Sequence, residues 1–532
     1  MLTLITLVSG ALYLTYQILR SIQQAFRNRR TAKSLGCEPP QKIPSDPLGL
    51  KSFFELARAA KDSRVVEYIA GFYDQYGPTF SLTGLGGVSI LSTVEPENLK
   101  ALLATQFHDF SLGTRHREFY PLLGDGIFTL DGAGWSHARA LLRPQFTRDQ
   151  VRPNHISHAS QGPETKCGQV ADLDLMDGHV SRLIELIPKN GSDFDIQRLF
   201  FLLTIDSATH FLFGESVNAM HSSGHTGVLE KTTVGDAQGF AEAFNLSQEY
   251  LFTRNRFMGL YWLVNPKEFQ EANKRVHEVV DHYVRLALAS KNNSNKSADR
   301  YIFAEALAAE TDDPRVLRDN MLNILLAGRD TTASLLSSAF FYLARHPAVW
   351  DRLRRAIVEE FGDRVHPRAK ITQARLKDIP YLRYFLNEVL RLLPPVPLNF
   401  RVAVKDTSLP LGGGPDGKAP VFIRKGQLVT YSVYAMHRRE DLYGPDARSF
   451  RPERWEENAI RGWDFLPFNG GPRICLGQQY ALTEASYTLV RLLQHFDRIE
   501  NAAPAVEEPR IMSNLTLSHL HGVDIRLYPA AS

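Results

Sequence analysis

Phe468-Asn-Gly-Gly-Pro-Arg-Ile-Cys-Leu-Gly477 is the stretch around which the rest of the chain is organised. Its pattern is F-x-x-G-x-R-x-C-x-G. Gly470, Gly471 and Pro472 predict a tight loop, and Gly477 opens an apolar helical run from Gln478 to Phe496. A cysteine on such a loop, just ahead of a helix, has backbone N–H groups directed at its sulfur. Those donors and the helix dipole favour thiolate over thiol. A thiolate held this way is a soft metal ligand. Arg473 adds a cation two residues before Cys475. A lone cysteine is most often buried and inert, but the surrounding pattern argues for a ligand. One strong anionic ligand from one side is what a haem iron needs when it must cleave O–O, and Arg473 can pair a haem propionate.

The chain has 532 residues, and length alone suggests several domains. The features below are spread over most of the sequence and need one shared core, so one large domain is expected over residues 48–532. Apolar content is that of an ordinary globular protein. A net charge of +3 gives no polyelectrolyte signal and no case for a nucleic-acid partner. The three cysteines, Cys37, Cys167 and Cys475, are odd in number and far apart. That argues against a disulfide framework and a zinc site, and fits a reducing compartment.

Residues 1–19 carry no charged side chain. Their length matches a single membrane-spanning anchor, diluted by Thr3, Thr6, Ser9, Thr15 and Gln17. Arg20, Arg27, Arg29, Arg30 and Lys33 follow, which places the N-terminus in the lumen and the rest in the cytosol. A cleaved signal peptide would need a basic stretch ahead of the apolar run and a clear small-residue cleavage site, and the sequence lacks both. Residues 20–47, basic and then proline-rich through Pro39, Pro40, Pro44 and Pro47, read as a stiff connector.

Further along, the stretches beginning at Gly77 and Val88 predict two strands around a glycine turn. Glu95 to Thr105 reads as a helix, and Phe107 to Leu130 as a loop containing Arg115, His116 and Arg117. Trp135 and Arg139 lie at i and i+4 of the next helix, where an indole and a guanidinium can share a carboxylate pair. Leu199 to Phe213, Phe240 to Leu263 and Lys267 to Ser290 read as helices. Phe240, Phe244, Tyr250, Phe252 and Phe257 suit either a cavity wall or plain core. Arg318 to Arg345 predicts a long, largely apolar helix, interrupted by Ala327-Gly-Arg-Asp-Thr-Thr332. Gly328 costs roughly 1 kcal/mol in a helix interior. An acid and two hydroxyls on a buried helix need partners, and together with local loosening they suit proton delivery. Glu388 and Arg391, at i and i+3 of a helix from Tyr381 to Leu393, can pair on one face.

The cysteine loop resembles the haem-binding loop of the cytochrome P-450 enzymes, the haem-thiolate monooxygenases. Ala327 to Thr332 is similar to that family's oxygen-activation motif, and Trp135-x-x-x-Arg139 to its propionate-contacting pair. Glu388-x-x-Arg391 with Phe450-Arg-Pro-Glu-Arg-Trp455 resembles its structural triad, with Arg454 the third member. The resemblance implies a mainly helical fold with a small β region, closing over haem between the long helix and the cysteine loop. It implies Cys475 as axial iron ligand, and Phe468, Arg473, Trp135, Arg139 and Arg401 as haem contacts. It gives Thr331 the hydrogen bond to oxygen at the iron and Asp330 the proton relay, with Thr332 the weaker candidate. It also implies O2 and NADPH as co-substrates, with electrons from a membrane-bound NADPH–cytochrome P-450 reductase, since no flavin or NADPH module is visible. The implied location is the endoplasmic reticulum membrane, with lipid contact and a cytosolic catalytic domain.

Longer strings resemble the fungal alkane and fatty-acid hydroxylase group. These are Phe468 to Tyr487, Phe110-Ser-Leu-Gly-Thr-Arg-His116, Leu122 to Asp131 and Thr204-Ile-Asp-Ser-Ala-Thr209. The implied reaction is hydroxylation, at the terminal carbon in one form, of a long-chain alkane or fatty acid. Arg115 or Arg117 is then a candidate for a substrate carboxylate. Another lipophilic substrate of secondary metabolism is the alternative. An isomerase or dehydratase without O2 is opposed by the intact Asp330-Thr331 pair, which a non-enzymatic haem sensor or carrier would not need.

Residues 151–169 depart from that group. They interrupt a helix-to-helix join between Gln150 and Val170 with two prolines, two glycines and almost no apolar periodicity. The stretch is a surface insertion or a retained intron. Valine codons begin with GT and a glutamine codon can end in AG, so Val151 to Gln169 can start and end as introns do, in frame. Sequencing the transcript decides this: the intron reading predicts messages lacking codons 151–169, and messages that all keep them overturn it.

Overall fold

The computed structural model describes residues 2–147, 173–222, 237–291, 302–457, 462–505 and 508–530. The stretch 151–169, with Cys167, lies outside the described residues. Helix α1 runs over Leu2–Ser34, so the helix expected for the first nineteen residues continues through the basic segment. No proline or glycine breaks residues 20–34, and Gly36, at φ 65°, lies just beyond the last turn. The connector is correspondingly shorter than residues 20–47. Among the described residues, no helix is long and apolar enough to cross a membrane.

Six strands form the principal sheet. They are β1 (Gln41–Lys42), β2 (Thr79–Gly84), β3 (Val88–Thr93), β4 (Phe110–Ser111), β5 (Leu398–Ala403) and β6 (Leu428–Ser432), in the order β1-β2-β3-β6-β5-β4. β2 and β3 make the expected antiparallel hairpin, turning through Leu85–Gly87. The predicted helix from Glu95 is a short α-turn, Pro96–Lys100, opening into a wider turn at Ala101–Thr105. Phe107 to Leu130 is not all loop: α2 spans Arg115–Leu123. Local propensity is poor there, with Pro121 inside, and the helix forms because Phe119, Leu122 and Leu123 bury one face. α3 covers Gly132–Thr147 and carries Trp135 and Arg139.

Three helices then cover the central one. α4 (Ile196–Phe213) is apolar almost all round and is capped by the Asp195 side chain, which accepts the Gln197 N–H. α5 (Ala237–Phe257) ends earlier than expected, giving way to a 3-10 turn at Met258–Leu263. Its Phe240 and Phe244 are fully buried core. α6 covers Lys267–Lys291. The central helix α7, Pro314–Arg345, starts on an Asp313 cap with proline at its first position. It is buried along nearly its whole length and packs most extensively on α4. It stays helical through Gly328, across the polar segment Ala327 to Thr332 that breaks its apolar pattern.

α8 (Pro380–Leu392) carries a buried ionic lock. Glu388 and Arg391 are wholly buried and paired through both carboxylate oxygens at 2.8 Å. Arg454 donates to the same carboxylate at 2.9 Å and the Trp455 indole N–H at 3.0 Å. Arg391 also donates to the His437 and Ser449 carbonyls. This is the expected triad, and it fixes α8 to the segment that leads to the cysteine loop. Breaking such a pair by removing one partner costs about 3–5 kcal/mol, because it strands buried charge. α9, Gln478–His495, follows that loop directly.

His437 joins the same segment. The Leu466 N–H donates to its Nε2 at 2.9 Å, so Nδ1 carries the proton and donates to the Arg391 carbonyl at 3.2 Å. Burial pushes its pKa down from 6.5 to about 3, with Arg391 adding to the effect. The unfolded chain therefore binds a proton that the folded chain refuses. Stability is fully present above pH 6.5 and is lost as pH falls towards the folded value. Buried His519 acts in the same direction. Melting temperature is expected to fall between pH 7 and pH 5, and His437→Leu should lower it at pH 7 while weakening its pH dependence. An unchanged slope in that variant would count against the assignment.

Candidate active site

Two residues with positive φ, Asn469 at 62° and Gly471 at 66°, turn the cysteine loop. At Gly471 only glycine fits, since a Cβ would lie 1.9 Å from the Leu103 carbonyl oxygen. The turn returns the Cys475 N–H to the Phe468 carbonyl at 3.0 Å, and the Phe468 side chain packs against the main hydrophobic core. The Tyr431 hydroxyl on β6 donates to Asn469 at 3.2 Å and anchors the loop to the sheet. Cys475 is enclosed by protein yet presents accessible surface, as does Ile474 beside it at 40%.

Burial pushes the Cys475 thiol up, against the Gly477 N–H and the Arg139 guanidinium, which pull it down. The Gly477 N–H and the Arg139 cation thus act in the direction expected of the loop and helix, towards thiolate, while desolvation is the larger effect and acts against them. A bound metal supplies the difference, because a coordinating thiol is deprotonated outright.

Four arginines from four parts of the chain converge beside the loop. Arg473 donates to Asp131 at 2.7 Å and to the Leu130 carbonyl at 2.8 Å, with its guanidinium 4.5 Å from the Trp135 ring centre. Arg139 donates to the Ile474 carbonyl at 2.9 Å and lies 5.8 Å from the same ring. Arg401, on β5, donates to the Phe400 carbonyl at 2.7 Å, and its buried Nε has no hydrogen-bond partner among the described residues. Arg115, at the start of α2, donates to Asn399 at 2.8 Å. Burial and mutual repulsion push Arg115 and Arg473 down to about 10, and only Asp131 among nearby acids pulls appreciably the other way on Arg473. This excess of cations with an orphaned donor fits a dianion, and two propionates beside a thiol fit haem. Trp135, Arg139, Arg401 and Arg473 are thus brought together as expected. Arg115 joins them, which draws it away from the role of substrate-carboxylate contact. Its only signal in the sequence was a basic cluster in an apparent loop.

The middle of α7 divides its polar groups between two sides. Leu326, Ala327, Gly328 and Thr331 keep some accessible surface on an otherwise buried helix. The Thr331 hydroxyl donates to the Ala327 carbonyl at 2.7 Å. Asp330 turns towards α5, where Gln248 hydrogen-bonds it, and Arg329 stands 3.5 Å away. Arg329 donates to Asn245 of the same helix at 2.5 Å. Burial pushes the Asp330 carboxyl up, against Arg329 and Gln248. Thr332 is committed elsewhere, hydrogen-bonded to the buried Glu484 of α9. The two threonines are neighbours in sequence, but only Thr331 keeps accessible surface, on the same stretch as Ala327 and Gly328. Gln248, Asn245 and Glu484 carry no local sequence signal, because each meets α7 only through the tertiary fold.

Comparison with known proteins agrees with this geometry. The Cytochrome P450 family model matches residues 44–519. Cytochrome P450 52A12 of Debaryomyces hansenii is 50% identical over 504 residues, covering 93% of each chain. Cytochrome P450 52A5 of Candida maltosa is 48% identical over 93% of this chain and 92% of its own. Cytochrome P450 52A6 of Candida tropicalis is 45% identical over 95% of this chain and 94% of its own. Haem, O2 and electrons passed from NADPH by a reductase come with this membership, as does a lipophilic substrate. The chain belongs to the cytochrome P450 family and is a haem-thiolate monooxygenase.

Proposed function

We propose that this enzyme hydroxylates long-chain n-alkanes or fatty acids, the terminal carbon included. What carries the reading is the run Phe110 to Asp131, whose strings resemble the alkane and fatty-acid hydroxylase group. Support comes from its carbonyls at Ile127 and Leu130 and its Asp131, which hold Arg473. Bound haem supplies the activation of O2 and the attack on the C–H bond. Cys475 binds its iron, and the four arginines with Trp135 orient its propionates. The accessible wall of α7 at Ala327 and Gly328 presents little polar side chain to an apolar substrate. Burial favours the protonated form of Asp330, and Thr331 keeps accessible surface beside Ala327 and Gly328. In this reading the acid and the hydroxyl serve the proton delivery that the reaction requires. Incubation of the haem-loaded protein with reductase, NADPH and a panel of alkanes and fatty acids tests this. Oxygenated long-chain products support it, and turnover confined to another class of lipophile overturns it.

Thr331→Ala should keep haem and substrate binding while NADPH use becomes uncoupled from product, with peroxide released. Full coupling in that variant would refute the role.

α1 serves as a membrane anchor in this reading, at the endoplasmic reticulum with the catalytic domain in the cytosol. Leu12, Tyr13, Tyr16 and Leu19 are exposed on α1, as are Leu48, Leu50 and Phe54 just beyond the connector. Deletion of residues 1–19 should lower membrane retention and leave the haem spectrum intact. A deletion product retained like the full chain would rule the anchor out.

A further inference from the structure

Glu484 sits in the second turn of α9 and is 3% exposed. Ser207 of α4 donates to its Oε1 at 2.5 Å, and Thr332 of α7 is hydrogen-bonded to it. The carboxyl thus bridges three helices through two uncharged hydroxyls. The charged groups of the neighbouring elements are engaged elsewhere. On α4, Asp206 accepts the Ala219 and Met220 N–H groups, and His210 bonds His179. On α7, Arg329 and Asp330 turn to α5. On α9 itself, Arg491 pairs with Asp177 of the helix Leu173–Leu186, and Tyr487 bonds the same aspartate. Glu484 therefore has no counter-charge among the described residues. Desolvation pushes it up to about 7, and its two hydroxyl partners pull only partly the other way.

A bridge between two hydroxyls does not need an ionisable group, since an amide would hold them as well. Glu484 instead carries a proton that can leave. The Thr332 hydroxyl suits both states, because it can donate to the carboxylate and accept from the acid. Its neighbour Thr331 keeps accessible surface beside Ala327 and Gly328. Gly477, the first residue before α9, is two residues past Cys475, and Glu484 lies about 10 Å further along the helix. Two buried charges at that separation shift a pKa by on the order of one unit.

We propose that Glu484 is a redox-linked proton acceptor: when one electron enters the haem bound at Cys475, its carboxylate takes up one proton from solvent, and it releases that proton when the electron leaves. The O–H bond forms on a Glu484 oxygen, the electron comes from the reductase, and the net charge of the buried region is unchanged. Uptake of the electron becomes easier because the added charge is neutralised close by. The inference rests on the haem-thiolate reading of Cys475.

The test is a spectroelectrochemical titration of the purified haem-loaded protein, from about pH 6 to about pH 8, either side of the Glu484 value. The thiolate signature of the ferrous–CO complex is recorded on each sample, so a failure of the ligand assignment shows there and not in the potentials. The wild-type midpoint potential should fall as pH rises through about 7. Glu484→Gln stays neutral at every pH and keeps the shape and both hydroxyl partners. It should flatten that dependence, with haem content and melting temperature preserved. Thr332→Val removes a hydroxyl that stabilises the carboxylate, and should move the dependence to higher pH. Equal slopes in wild type and Glu484→Gln overturn the proposal. Should the glutamine variant fail to load haem, reduction of the wild type in weak buffer with an indicator dye decides it. Fractional proton uptake per electron near neutral pH supports the proposal, and none overturns it.

Discussion

The buried Glu388 carboxylate, shared by Arg391, Arg454 and the Trp455 indole, is the constraint on which the rest depends. Each of these ions would be costly in the interior alone. The chain can bury them only by bringing α8 and the segment around Arg454 into one register. That register sets where the backbone from His437 to Leu466 runs, because His437 is held between the Arg391 carbonyl and the Leu466 N–H. The cysteine loop begins two residues later, at Phe468. A lock with no part in the chemistry therefore determines where the sulfur points.

Around the sulfur, the design is one of uncompensated charge. Arg115, Arg139, Arg401 and Arg473 are brought together, and burial first and then the neighbouring arginines depress Arg115 and Arg473. Such a cluster is poor for the stability of the protein alone and favourable once a dianion lies among them. The thiol follows the same logic. Burial opposes its ionisation until a metal arrives, so binding of the group couples to the charge state of its ligand. Along α7 the polar residues are divided among partners. Thr331 bonds back to the Ala327 carbonyl, Asp330 and Arg329 are held by α5, and Thr332 is held by Glu484.

The sequence by itself determined the cysteine loop, the long apolar helix with its Asp-Thr-Thr segment, the Trp135 and Arg139 pair and the Glu388 and Arg391 pair. Each is carried by residues a few positions apart, where turn chemistry and the helical repeat place side chains without reference to the rest of the chain. Tertiary structure decided what is settled by distant partners. Arg115–Leu123 is a helix only because Phe119, Leu122 and Leu123 are buried, and this carries Arg115 to β5 and the other arginines. How strongly burial opposes the thiolate is also a tertiary property, because desolvation depends on everything packed around the sulfur. The resemblance ranked Thr331 above Thr332, and the fold shows a physical difference between them. Successive residues on a helix point about 100° apart, and only the arrival of Glu484 from α9 tells which of the two hydroxyls is taken.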